Sequence, residues 1–216
     1  MRQLIRENKV FLGLYLLFLI IGAALIIFFE KGNEILYFNK LHTPFFDKFF
    51  VLVTRLAELP ILLFIIIVTV RFSYGKGLVL AINSLLVFVT VTALKYLIFA
   101  DQVRPSVFFE GKVHLNFVQN LEILREHSFP SGHTAGAFAL LFMLSLITEN
   151  KKWSILLFAF SLLVAISRVY LLEHFFRDVY AGSIIGTFIT ACFYLTFVRS
   201  QFYERIKWKD KKLIKW

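Results

Sequence analysis

From Val10 to Phe29 the chain runs for twenty residues without a charged side chain. That is the length an α-helix needs to cross a hydrocarbon core about 30 Å thick at 1.5 Å per residue. A cleaved leader has a shorter apolar segment, about 7 to 15 residues, ending at small residues. Here the run continues through Leu25-Ile26-Ile27-Phe28-Phe29 after Gly22-Ala23-Ala24, so it reads as a retained anchor. Similar runs predict further spans at about 49–70, 77–99, 131–148, 153–172 and 179–198. The second is the least clean, because Arg55 and Glu58 interrupt it and Pro60 marks a break. The stretch 30–48 carries apolar pieces too short to span and is expected to lie at the interface. The predicted fold class is therefore all-α: a polytopic membrane protein with six transmembrane helices in a bundle. The longest connection, 100–130, falls below the roughly 40 residues that an unstapled domain needs. The chain thus reads as a single membrane domain over 1–216, with no repeat and no low-complexity tract.

Composition supports the bilayer as solvent. The chain is 59% hydrophobic and 18% charged, against about 25% charged for a soluble domain, and a nucleic-acid-binding chain would carry its charge on a far less apolar background. Its net charge of +10 is unevenly placed. On the N-terminal side of the predicted spans lie 14 Lys and Arg (Arg2, Arg6, Lys9, Arg71, Lys76, Lys151, Lys152 and seven in the tail from Arg199 to Lys215) against four acids, Glu7, Glu149, Glu204 and Asp210. The other side holds 10 of each. The excess of cations beside short loops marks the cytoplasmic side, so both termini are expected there. The Lys-rich tail with Trp208 and Trp216 also suits contact with anionic headgroups. Cys192 is the sole cysteine, so no intrachain disulfide forms and redox compartment is not indicated.

The opposite face collects reactive side chains. Lys95 falls at the outer end of the third span, with Arg104-Pro105 just beyond it. Pro130-Ser131-Gly132-His133 opens the fourth span, Ser167-Arg168 closes the fifth, and His174 and Asp178 precede the sixth. Each alone would pass as an interfacial side chain, but four separate segments deliver three cations, two histidines and a carboxylate to one face. That set suits phosphoryl transfer. Lys95, Arg104 and Arg168 can neutralise non-bridging oxygens. The helix start at Ser131 and Gly132 adds backbone N–H groups and a favourable dipole. His174 and Asp178 are four apart, so a helix beginning this early would place them on one face, the carboxylate holding one ring nitrogen protonated and leaving the other to attack phosphorus. His133 comes from another span and is free to serve as acid. Two histidines and an aspartate also match a zinc set, but three neighbouring cations would repel the metal, so no metal or cofactor is expected. Ser131 and His133, two residues apart on a helix start, do not face each other as a Ser/His pair would.

Pro130-Ser131-Gly132-His133 and the string Ser167-Arg168-x5-His174-x3-Asp178 resemble the second and third signature motifs of the type 2 phosphatidic acid phosphatase (PAP2) family. Its superfamily also includes the vanadium haloperoxidases and the bacterial membrane lipid phosphate phosphatases. Asn39, His42 and Asp47, ahead of the second span, are similar to the family as well. The resemblance covers nearly the whole chain. The first motif departs from the family: Lys95 and Arg104-Pro105 are separated by eight residues where the family has six. Lys95 fits if the two extra residues form a bulge or longer turn; otherwise Lys112 is the nearby substitute. The resemblance implies that His174 is a nucleophile forming a phosphohistidine, that Asp178 orients it, and that His133 protonates the leaving group and then activates water. It further implies that Lys95, Arg104, Ser131, Gly132 and Arg168 hold the phosphate, with no cofactor.

A site at the bilayer's outer boundary favours a membrane lipid phosphate as substrate: undecaprenyl diphosphate, phosphatidylglycerol phosphate, phosphatidate or a lipid A phosphate. The resemblance places such an enzyme in a bacterial inner membrane, its site facing the periplasm or exterior, with no nucleic-acid partner. The soluble haloperoxidase branch fits poorly. A lipid phosphotransferase would use the same residues. A non-enzymatic channel, transporter or scaffold would be expected to carry ionisable groups near the midplane, where this sequence has only Arg55 and Glu58 as departures. Phe117, Leu121 and Leu124, at helical spacing within 116–127, predict an interfacial helix beside the site.

Overall fold

A computed structural model of the chain describes residues 4–5, 8–119, 121–148 and 152–212. Arg2, Arg6, Glu7, Glu149, Lys151 and Lys215, counted in the charge balance above, lie outside the described residues, as do Trp216 of the tail and Asn120. Among the described residues the chain is all-helical and contains no β-strand. The helices are α1 (Lys9–Phe28), α2 (Asn33–Asn39), α3 (Pro44–Arg55), α4 (Leu59–Phe72), α5 (Tyr74–Ala93), α6 (Pro105–Phe108), α7 (Gly132–Ile147), α8 (Trp153–Tyr170), α9 (Phe176–Phe193) and α10 (Gln201–Glu204). A π-helical turn extends α5 over Leu94–Ile98, and another extends α9 over Tyr194–Val198.

Four of these helices are long and apolar enough to cross a membrane: α1, α5 with its extension, α8, and α9 with its extension. The second predicted span is two helices. α3 and α4 meet at a 50° bend and together would make a fifth crossing. The break falls at Leu56–Glu58, where Pro60 enters the first turn of α4 and withholds a backbone donor from the turn before it. α7 is apolar but has only 16 residues, about 24 Å of helix.

α7 is the centre of the bundle. Its residues are apolar nearly all round, and a helix of that kind goes inside. Ala135, Phe138, Phe142 and Met143 are fully buried, with α9, α8 and α5 packed around them. The approach of α9 is set by Gly182 and Gly186, one helical turn apart. A Cβ on Gly182 would come within 2.5 Å of the Ser131 carbonyl oxygen, and one on Gly186 would collide with the carbonyl oxygen of Ala135. Small residues at this spacing let two backbones touch. Asn83 of α5 adds a polar tie, donating to Ala139 O at 3.3 Å and to Thr190 Oγ1 at 3.1 Å, so one amide joins α5, α7 and α9. Against the other side of α7, Phe11 stacks on Phe142 at 4.9 Å and meets Phe158 edge-on at 5.5 Å, which locks α1 and α8 in place. The outer rows of α1, Ile20, Ile27 and Phe28 among them, are exposed, as a lipid-facing surface would be.

Candidate active site

Three chain segments converge at one end of α7. The first is the join between α8 and α9. α8 ends in a Schellman turn: the N–H of Leu172 bonds to Val169 O at 3.0 Å and that of Glu173 to Arg168 O at 3.1 Å. Leu172 takes the left-handed position, φ 58°, which a non-glycine residue adopts at a cost. His174 N also reaches Arg168 O, at 3.2 Å. The five residues between Arg168 and His174 thus form one closed turn that brings cation and imidazole together.

His174 lies just ahead of α9, which starts at Phe176, so the expected helical face shared with Asp178 is absent. The pair forms by capping instead. Asp178, in the first turn, accepts the N–H of Phe175 at 3.1 Å on Oδ2, and that oxygen stands 3.6 Å from Nδ1 of His174. Both residues are almost fully buried. On the other side of the ring, Nη1 of Arg104 lies 3.4 Å from Nε2. The two hydrogens of that Nη1 go to Glu173, so the tautomer follows from the other nitrogen: Nδ1 faces two acceptors, Asp178 Oδ2 and the oxygen of Ser128, whose own proton goes to Asp178. Nδ1 therefore carries the proton, and Nε2 is left unprotonated beside the guanidinium. Complete burial, then the positive charges of Arg104, Arg168 and Lys95, hold the imidazole well below its ordinary pKa. The ring is accordingly neutral at neutral pH.

The second segment is the start of α7. Ser131 donates its N–H to Asp178 O at 3.0 Å, which sets the starts of α7 and α9 side by side. Gly132 is the first helical residue and His133 the second. The imidazole of His133 makes no hydrogen bond among the described residues, and it lies within electrostatic reach of His174. The Ser131 hydroxyl is shared with Thr134 Oγ1 at 3.0 Å.

The third segment runs from the π-helical turn into the outer loop. A π-turn holds more residues than an α-turn, and it takes up part of the lengthened first-motif spacing: Phe99 N closes on Leu94 O at 2.9 Å, and a turn from Phe99 to Gln102 follows. Lys95, inside the π-turn, donates to the carbonyl of His127 at 3.0 Å and stands within electrostatic reach of His174. Lys112, the alternative, is exposed and sits over the Phe108 ring at 4.8 Å. The loop has no helix over its described residues between 116 and 127. Its backbone is engaged elsewhere, Arg104 N bonding to Arg125 O at 2.9 Å and Ser128 N to Gln102 O at 2.8 Å. Helical spacing of Phe117, Leu121 and Leu124 does not outweigh those ties.

Arg104 and Arg168 are both buried. Arg104 Nε donates to Glu126 O at 2.9 Å, and Arg168 Nη1 to Thr54 Oγ1 at 2.7 Å. Among the described residues Nε of Arg168 is buried without a partner, an orphan donor inside the cation cluster. Thr54, at the end of α3, Glu173 and Ser128 were not among the residues singled out from sequence. Ser128 donates to Asp178 Oδ2 at 2.5 Å, and Glu173 pairs with both arginines. Asn39, His42 and Asp47 stand apart from this cluster. His42 stacks on Tyr170 at 4.6 Å and bonds its backbone oxygen at 2.9 Å, Asp47 accepts from Tyr170 Oη at 2.6 Å, and Asn39 pins the outer loop through His114 O and Asn116 N. They fasten the segment before α3 to the end of α8. Among the described residues no three His, Cys, Asp or Glu side chains gather as a metal site.

The family model of the PAP2 superfamily matches residues 75–202 of this chain. Among curated proteins, a 90-residue stretch is 38% identical to lipid phosphate phosphatase 1 of Arabidopsis thaliana, covering 36% of this chain but only 28% of that protein. A longer stretch of 165 residues is 27% identical to the lipid A 4'-phosphatase of Bacteroides thetaiotaomicron, covering 74% of this chain and 73% of the relative. Of solved structures, LpxE of Aquifex aeolicus superposes with a TM-score of 0.67 at 30% identity, over 77% of this chain and 96% of that one. A transmembrane PAP2 type phosphatidylglycerolphosphate phosphatase of Bacillus subtilis shares the fold, with a TM-score of 0.54 at 24% identity over 91% and 97% of the two chains.

Proposed function

Since the chain belongs to the PAP2 superfamily of phosphatases, we propose that it removes phosphate from a membrane lipid, a phosphomonoester or a diphosphate, through a phosphohistidine on His174. The observation that carries this reading is the 3.4 Å approach of Arg104 Nη1 to Nε2 of His174: the unprotonated nitrogen points into a cluster of cations suited to a phosphoryl group. In the first step Nε2 bonds to phosphorus and the P–O bond to the lipid breaks. Arg104, Arg168, Lys95, the N–H of Gly132 and the hydroxyl of Ser131 share the charge of the non-bridging oxygens. Asp178 stabilises the positive charge that the ring acquires, through Nδ1–H. A bound phosphate favours the protonated form of nearby His133, which passes its proton to the leaving oxygen. In the second step His133 takes a proton from water, the hydroxide attacks phosphorus, and the N–P bond breaks to release phosphate and free Nε2.

The membrane arrangement belongs to the same proposal. It is one integral-membrane domain with six crossings, α3 with α4 counting as one and α7 as another, both termini cytoplasmic and the site on the outer face of a bacterial inner membrane. The side assignment is supported by the surplus of Lys and Arg flanking the opposite ends of the helices. The test is phosphate release from vesicle-embedded lipid phosphates. Wild type is expected to turn over, and His174→Ala to fold and release none. Normal turnover by His174→Ala would remove the mechanism, and an accumulating phosphorylated acceptor lipid would indicate a transferase.

A further inference from the structure

The mechanism above leaves Glu173 without a role, although it sits inside the cation cluster. Its Oε2 lies 2.8 Å from Nη1 of Arg104 and 3.4 Å from Nη2 of Arg168, and its side chain is 12% exposed. Its backbone oxygen also accepts from Nη1 of Arg104, at 2.9 Å. Both arginines proposed to bind phosphate therefore share a resident carboxylate that touches their terminal nitrogens. Leaving aside Arg177, which is 42% exposed and reaches Asp178 only at 4.0 Å, the carboxylates of Glu173 and Asp178 stand against the charges of Lys95, Arg104 and Arg168, so these inner groups carry one net positive charge. With Nη1 bound to Thr54 and Nη2 to Glu173, Arg168 offers its partnerless Nε to a ligand.

We propose that Glu173 makes this a monophosphate site, selecting lipid phosphomonoesters over lipid diphosphates. The inference rests on the phosphatase reading of the site. A phosphomonoester carries about −1.5 to −2 charges at pH 7, which the site can balance once bound phosphate has protonated His133. A diphosphate brings a second phosphate group that needs cations of its own. The terminal nitrogens that would serve it already face Glu173, so the extra phosphate meets a carboxylate. Selectivity of this kind comes from an unfavourable contact with the wrong ligand as much as from a good one with the right ligand. Glu173 also fixes the planes of both guanidiniums, so it acts as a positioning and specificity residue rather than a catalytic one.

The test uses two lipids with the same acyl chains, a diacylglycerol monophosphate and a diacylglycerol diphosphate, in mixed micelles with the full-length protein. Wild type is expected to show kcat/KM about tenfold or more higher for the monophosphate. Glu173→Gln keeps the shape and one acceptor oxygen but removes the charge. It is expected to narrow that ratio by about tenfold, mainly through a lower KM for the diphosphate. Equilibrium binding of inorganic phosphate and pyrophosphate makes the same comparison without turnover, wild type favouring phosphate and the variant losing that preference. Equal use of both lipids by wild type overturns the inference whether or not the variant folds, and so does an unchanged ratio in a folded variant. Wild type that neither hydrolyses the two lipids nor binds either anion overturns the phosphatase reading itself, and this inference with it.

Discussion

The hydroxyl of Ser128 donates to Oδ2 of Asp178 at 2.5 Å while standing 3.5 Å from Nδ1 of His174. One buried side chain thus touches both members of the pair that sets the imidazole's tautomer. Ser128→Ala removes a hydrogen bond to a charged acceptor, worth about 1.5 to 3 kcal/mol. If that bond aligns the ring for attack, kcat falls by about ten- to a hundredfold while KM changes little. Steady-state kinetics on a lipid phosphate decide the matter, and an unaltered kcat would leave Ser128 a packing residue.

The ionisation of His174 gives a second test. A pKa held below its ordinary value keeps Nε2 unprotonated as pH falls through the range around 6.5 where an exposed histidine gains its proton. In histidine-labelled protein in detergent, the His174 ring resonance is expected to stay in its neutral position across that range, moving only at lower pH. A midpoint at or above 6.5 would contradict the burial and charge argument.

The contact between α9 and α7 predicts a contrast between two glycines. Gly186→Ala drives a methyl group into the carbonyl of Ala135 and is expected to cost about 1 to 3 kcal/mol. Gly13→Ala on α1 meets nothing within 4 Å and should be neutral or gain up to about 1 kcal/mol of helix propensity. Thermal unfolding in one detergent compares them directly, and equal stability of the two variants would mean the helices do not touch at Gly186.

Tyr170 tests the fastening of the segment before α3. Tyr170→Phe removes the donor to Asp47 and is expected to lower stability by about 1 to 2 kcal/mol, with kcat within about twofold of wild type. A large loss of kcat at full stability would place Asp47 in the chemistry after all.

The segments that build the site were legible because its reactive groups lie at fixed short intervals: Ser131, Gly132 and His133 at a helix start, Arg168 and His174 across one turn. The supporting residues are not spaced in any such way. Thr54 reaches Arg168 from the end of α3, more than a hundred positions earlier and just ahead of the 50° bend into α4. Ser128 precedes Pro130 by two residues, yet its partner Asp178 lies fifty positions on. Hydropathy marked the long apolar helices to within a few residues, and Arg55, Glu58 and Pro60 marked the break inside 49–70, but apolar content does not report the 50° bend there. Helical spacing also misled in the outer loop, where backbone ties to Gln102 and Arg104 hold the chain irregular.

The turn after α8 bears on which length changes the protein can tolerate. Between Lys95 and Arg104 the backbone accommodates a longer connection through a wider turn, so residues can be gained or lost there with modest repacking. Between Arg168 and His174 all five residues are committed to closing one loop on the carbonyl of Arg168, with Leu172 already in a costly conformation. One residue more or fewer would rotate the imidazole away from the guanidinium it serves. Under the proposed mechanism, length changes are therefore expected to be better tolerated on the lysine side of the site than on the histidine side.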